Sequence, residues 1–244
     1  MSIYVRLVSI TVCLLAVAVP ASATSYSGKV TIPEGLAGIG SWTAGETVID
    51  WTVSQQPDPG LWHYSYTLTV PDGELSYFIV EVPAGLPLGD ILNASVTAAG
   101  QPLAGWGSGH EDIWIGAFAE AKVSPGMPGE MIGLKFDNLE GTSATVEFDV
   151  DLAPTWGDVY LRGNKSKELK EYRAAWNEGF EDGEPAGQEN DPIGVPPRDG
   201  IVLDHLLVPD PPPSPASVPE PLTMAGMAGA IGCVGAYVRR RRAA

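Results

Sequence analysis

Few side chains in this 244-residue chain are of types that do chemistry, and they are scattered. His63, His110 and His205 lie far apart, and none sits in a His-Glu-x-x-His arrangement that would present two ligands from one helix. His110-Glu111-Asp112 follows Gly105-Trp106-Gly107-Ser108-Gly109, a glycine-rich loop of the kind on which functional groups concentrate. Ser108 does not occupy a Gly-x-Ser-x-Gly nucleophile elbow, because Gly105-Trp106-Gly107 shifts it out of place. A histidine satisfied within its loop is the simpler reading. In residues 145–151, Glu147, Asp149 and Asp151 alternate with Val146, Phe148 and Val150, so a strand here turns its carboxylates to one face. Such a row could bind calcium, yet Ca2+ takes about 6 to 8 oxygens from several segments, and like charges also let a solvated sheet edge resist pairing. Residues 178–191 are acidic and glycine-bearing but lack EF-hand spacing, which makes them a surface loop. No glycine-rich loop ends in Lys followed by Ser or Thr to cradle phosphate. The residues thus assign no catalytic group, no cofactor and no metal site, calcium being the one ion that the acidic stretches leave open.

Charge narrows the partners. The chain holds 30 Asp and Glu against 14 Lys and Arg, a net of −16, and 29 of the acids but only 9 of the bases lie between Thr24 and Asp210. A body of that sign repels the phosphates of nucleic acid and anionic lipid headgroups, whereas it suits a soluble exported protein. With so many carboxylates, some pair at glycosidase spacing is inevitable and carries no information. The two cysteines, Cys13 and Cys233, both fall in apolar end segments, so the body folds without disulfides and rests on a packed core.

Alternation announces that core. Residues 61–70 place Trp62, Tyr64, Tyr66, Leu68 and Val70 on one face, a half-buried strand. Residues 47–54 precede it across Pro57-Asp58-Pro59-Gly60, and the more continuously apolar 75–82 follow across Pro71-Asp72-Gly73-Glu74. The 61–70 and 75–82 strands are expected to form an antiparallel hairpin. Further strands are expected at 113–118, 131–136, 144–151, 159–161 and 201–208. The spacing predicts one all-β domain over 24–210, an antiparallel β-sandwich of jelly-roll or Ig-like type. One short helix is expected over 166–176, capped by Ser166, with Leu169, Tyr172, Ala175 and Trp176 on the face that covers one end of the sandwich. Trp42, Trp51, Trp62, Trp106 and Trp114 crowd the first half of the body. Exposed in a row they would stack sugars, although Trp51 and Trp62 fall on alternating strands, where a large aromatic is core.

Both ends read as targeting segments. Residues 1–23 carry one charge, Arg6, then an apolar stretch and the small-x-small cleavage site Ala21-Ser22-Ala23, a secretory signal peptide that leaves Thr24 first. Residues 211–218 form a proline-rich spacer, extended at about 3.1 Å per residue. In residues 219–244, Pro219-Glu220-Pro221 precedes the 17 apolar residues 222–238, and Arg239, Arg240, Arg241 and Arg242 follow. As a helix that run reaches roughly 25 Å, enough for a thin bilayer, and the arginines stop it by staying cytoplasmic. Gly226, Gly229, Gly232 and Gly235 make this a small-residue helix, read as a weak, easily extracted anchor.

Pro-Glu-Pro, a short membrane helix and a terminal basic cluster in this order resemble the tail of the PEP-CTERM family of exported bacterial proteins. The resemblance implies recognition at Pro219, Glu220 and Pro221 by an exosortase, a membrane-embedded cysteine peptidase or transpeptidase that brings the catalytic residues itself. Residues 75–82, 133–137, 153–160 and 206–210 look like body segments of PEP-CTERM proteins of unassigned function. The expectation is a non-enzymatic protein of the cell surface or extracellular matrix, held transiently at the inner membrane and then processed. A module binding carbohydrate, namely exopolysaccharide, is the first rival and a secreted hydrolase the second. Exposed coplanar tryptophans would favour the former, and carboxylates or histidines converging in a deep pocket the latter.

Overall fold

The computed structural model describes residues 24–57, 60–98, 100–103, 112–164, 171–181 and 205–209. Within them the chain is all-β, its sheets antiparallel and its only helical pieces three short 3-10 turns. The first sheet orders β1 (Ser25–Thr31), β3 (Val48–Gln55), β4 (Trp62–Thr69), β10 (Ser143–Val150), β6 (Leu92–Ala98) and β7 (Gln101–Pro102). The second orders β2 (Leu36–Ile39), β13 (Ala174–Asn177), β12 (Val159–Gly163), β5 (Leu75–Glu81), β9 (Met131–Phe136) and β8 (Ile113–Phe118). A two-stranded ribbon of β11 (Pro154–Gly157) and β14 (Leu206–Pro209) is buried with them.

The inward faces of the two sheets share one core. Tyr64 stacks on Phe148 at 5.2 Å between ring centres, and Tyr66 leans on Phe78 of the opposite sheet at 5.3 Å. Rings this close prefer offset or tilted contacts, each adding about 0.5–1.5 kcal/mol beyond the area they bury. The ribbon joins the same core, for Tyr66 donates its hydroxyl to the Leu207 carbonyl at 2.6 Å and Trp51 meets Trp156 edge to face.

Three expectations need correction. The first is the hairpin of 61–70 with 75–82, because β4 pairs with β3 and β10 while β5 pairs with β12 and β9, in different sheets. The turn between them is held sideways: Trp42 donates Nε1–H to the Asp72 carbonyl at 2.9 Å, and Arg173 reaches the Asp72 carboxylate at 3.1 Å. β5 is apolar on both faces because both are covered. Phe78 and Val80 face the shared core, while Tyr77 and Ile79 meet a second cluster with Phe118, Met127, Met131, Tyr160 and Phe180. Second, the 166–176 helix gives way at its end to β13, a strand whose Trp176 pairs with Ala37 and Tyr160, and residues 171–173 carry no helix either. Residues 165–170, with Ser166 and Leu169, lie outside the described residues. Third, the carboxylate row is on no edge, since β10 lies between β4 and β6. Trp156 is buried and belongs to β11. Of residues 201–208, only His205 to Val208 fall among the described ones, where they lead into and form β14.

Candidate functional site

The two outer sheet faces differ in kind. The second sheet's outer face is occupied by the apolar cluster just described, roofed by residues 121–130, to which Tyr77 donates at the Val123 carbonyl and Tyr160 at the Pro125 carbonyl. The first sheet's outer face is polar and made of short side chains. Read across the strands at one level, it runs Ser27, Thr52, Ser65, Glu147 and Ser95, and at the next Lys29, Asp50, Thr67, Thr145 and Thr97. Two hydroxyl pairs bridge strands, Thr67 with Thr145 at 3.0 Å and Thr69 with Ser143 at 3.4 Å. This follows from alternation, since every inward residue of β4 is aromatic or aliphatic and every outward one is polar.

At one end of that face the histidine reading acquires a partner. His63 Nδ1 lies 2.7 Å from Asp149 Oδ1, and the other oxygen of Asp149 accepts from Asn93 Nδ2, also at 2.7 Å. His63 Nε2 points toward Glu147 Oε1 at 3.8 Å, and Ser65 donates to the same carboxylate oxygen at 3.2 Å. The local backbone is shaped for this. β6 slips register against β10 between Glu147 and Asp149, and Asn93 adopts the left-handed φ of 51°, which Asn tolerates better than most residues. The Asp149 side chain is only 11% exposed, so its charge leans on these two donors.

Beyond Asp149 the sheet opens into a groove of about 390 Å³, floored by Leu61, Leu86, Val150 and Leu152, with Leu92, Asp90 and Asp151 on its rim. His63 does not line it, so neither a histidine nor a nucleophile joins its two carboxylates. The groove opens to solvent. Asp151, the third member of the predicted row, stands exposed against Gly60, apart from Glu147 and Asp149. Among the described residues no group of three His, Cys, Asp or Glu side chains could hold a metal ion.

His205 is fully buried, its Nδ1 at 3.1 Å from Asp158 Oδ1, which also accepts from Asn177 Nδ2 at 2.8 Å. This network pins the start of β14 to β12 and β13, a structural role. Asp112 accepts from Asn138 Nδ2 at 2.8 Å. His110, Glu111, Ser108 and Trp106 lie outside the described residues, as do Ala21, Ala23, Pro219, Glu220, Pro221 and Arg239 to Arg242. Trp42, Trp51, Trp62 and Trp156 are core. Trp176 stacks on Tyr160, and Trp114, 38% exposed, tilts against Phe118, so no row of exposed indoles forms among the described residues. Burial holds the phenols of Tyr66, Tyr77 and Tyr160 neutral to above their ordinary range. The polar composition of the outer face was readable from β4 and β10. The pairing of His63 with Asp149, 86 residues apart, was not.

Among the described residues no helix is long and apolar enough to cross a membrane. No family model, no curated protein and no solved structure matches the chain.

Proposed function

We propose that this chain is an exported protein of the bacterial cell surface or extracellular matrix, sorted through a PEP-CTERM-like tail and without catalytic activity of its own. The observation that carries the reading is the order of three features in the last 26 residues: Pro219-Glu220-Pro221, the uncharged run 222–238, and Arg239 to Arg242. An exosortase at the inner membrane would act at the Pro-Glu-Pro segment after the secretory signal is removed between Ala23 and Thr24. The body then meets its surroundings through the polar outer face of its first sheet, where short hydroxyl side chains bring a partner close to the backbone. The body is read as an antiparallel sandwich of jelly-roll or Ig-like type with additional strands, jelly rolls ordinarily using about 8. Immunoglobulin-type sandwiches use about 7 to 9 strands, fewer than the two six-stranded sheets here.

Binding of exopolysaccharide is the second reading, favoured by that Ser- and Thr-lined face with His63, Glu147 and Asp149 at its end. Mass spectrometry of the protein recovered from cells that possess the sorting enzyme tests the first reading. The expected product begins at Thr24 and lacks Arg239 to Arg242; recovery of those arginines on the mature protein refutes processing. A glycan array probed with the same product tests the second, which fails if no polysaccharide is retained or if Glu147→Gln leaves retention unchanged.

A further inference from the structure

The groove at the end of β10 is lined by two kinds of group that the fold leaves without a partner. Its floor is aliphatic, from Leu61, Leu86, Val150 and Leu152, and its rim carries the carboxylates of Asp90 and Asp151. Both carboxylates stand exposed, and among the described residues neither takes part in a side-chain hydrogen bond or an ion pair. The described cations are placed elsewhere. Lys29 pairs with Glu46, Lys135 with Asp137 and Arg173 with Asp72, Arg162 stacks on Tyr77 and Tyr172, and Lys122 belongs to the 121–130 roof of the other sheet.

The rim is set before any ligand arrives. On one bank Leu86 N–H donates to the Pro83 carbonyl at 3.3 Å, Asp90 N–H to the Pro87 carbonyl at 3.0 Å and Ile91 N–H to the Leu88 carbonyl at 3.2 Å, two successive turns that hold Asp90 in place. On the other bank Asp151 directly follows β10 and lies over Gly60, where a Cβ would stand 2.6 Å from Asp151 Oδ1. Gly60 sits at φ +94°, a region glycine enters freely, so the approach costs the chain little. The space of about 390 Å³ falls within the roughly 300 to 1,000 Å³ of small-ligand sites, and a site already formed loses less on binding.

We propose that this groove binds an aliphatic diamine, its methylene chain on the leucine floor and an ammonium group at each of Asp90 and Asp151. Hydrocarbon and positive charge in one molecule match the two kinds of lining. A bare metal ion would leave the leucines wet, and a neutral hydrocarbon would leave the carboxylates unpaired. The excess of acid in the body, 29 carboxylates against 9 bases between Thr24 and Asp210, draws cations in from a distance. The contact is weak. An exposed ion pair is worth up to about fivefold in affinity and a methylene taken fully out of water about fourfold, so a five-carbon diamine is expected to dissociate at about 1 mM.

The test is methyl NMR on the full chain in nanodiscs of neutral lipid, titrated with cadaverine, the five-carbon diamine, and read at Leu61, Leu86 and Leu152. The expected result is saturable shifts with a dissociation constant of about 1 mM, at least about threefold tighter than pentylamine, pentanediol or ethylenediamine. Asp90→Asn and Asp151→Asn, both at exposed positions, should each bring cadaverine down to the strength of pentylamine. Pentylamine binding as tightly as cadaverine to the unsubstituted chain would leave one carboxylate without a role, and pentanediol doing so would make the groove merely apolar. Ethylenediamine or Ca2+ shifting the same methyls as strongly would reduce the effect to counterion attraction, and tighter binding of a trilysine peptide would name a protein partner instead. Each of these, like the absence of shifts up to about 20 mM cadaverine, overturns the proposal, and all are read without the variants should either not fold.

Discussion

Replacing Asp149 by Ala tests whether the end of the polar face is held as a unit. Asp149 accepts hydrogen bonds at 2.7 Å from both His63 and Asn93, and its side chain is 11% exposed. Bonds to a charged acceptor are worth about 1.5–3 kcal/mol each. His63 is a third exposed and Asn93 lies at the surface, so both donors find water when the carboxylate goes. The combined loss is therefore expected near the value of one such bond, about 2–3 kcal/mol. Urea unfolding followed by tryptophan fluorescence reads it well, because Trp42, Trp51, Trp62 and Trp156 are buried and all report on the core. With a slope of about 2 kcal/mol per molar urea for a domain of this size, the midpoint should fall by about 1–1.5 M at unchanged slope. A double-mutant cycle with His63→Ala should return a coupling of about 1 kcal/mol, and about 0.5 M NaCl should leave most of it in place because the carboxylate is shielded. A midpoint shift under about 0.3 M, or a coupling indistinguishable from zero, would mean that the pair is an ordinary surface contact, and the reasoning from burial would fail.

Three further outcomes are expected. Burial raises the folded-state pKa of Tyr66, Tyr77 and Tyr160, so the unfolded chain gives up those protons first. Stability from these groups is then full below about pH 10 and lost as pH rises beyond it, Tyr66 alone taking up to about 1.4 kcal/mol per pH unit. Tyr66→Phe should cost about 1 kcal/mol at neutral pH, through the lost bond to the Leu207 carbonyl, and should flatten the alkaline fall measured by urea unfolding across pH 9 to about 11. Gly40→Ala should destabilise by more than about 2 kcal/mol in thermal unfolding, because Gly40 sits at φ +72° and an added Cβ would stand 2.3 Å from the Tyr172 carbonyl oxygen. Replacing Pro219, Glu220 and Pro221 together by Ala should leave Arg239 to Arg242 on the recovered protein by mass spectrometry, whereas loss of the arginines regardless would show that the tail is cut without that signal.

Much of the fold was legible because alternation is local. The strands at 47–54, 61–70, 75–82, 113–118, 131–136, 144–151 and 159–161 all correspond to strands of the structure within one or two residues. β1, β2, β6 and β13 escaped notice for opposite reasons. β1 and β6 hold mostly small or polar residues with few large apolar ones, β2 is four residues long, and the Ala174-Ala175 start of β13 scores as helix until its neighbours β2 and β12 are known. Propensity loses there to the hydrogen bonds that two adjacent strands offer at once.

What the sequence determined by itself is what depends on near neighbours: which residues of a strand face inward, the sign of the body's charge, the absence of cysteine from it, and the order of groups in the tail. What only the tertiary structure decided is which strands become neighbours. The turn at Asp72 reads the same whether its strands pair or face each other across a core, and the choice fell to Trp42 and Arg173, which hold the turn from 30 and 101 residues away. The meeting of His63 with Asp149 and the edge position of β8, which pairs with β9 alone among the described residues, follow from that choice. Both depend on contacts between segments that no local pattern connects.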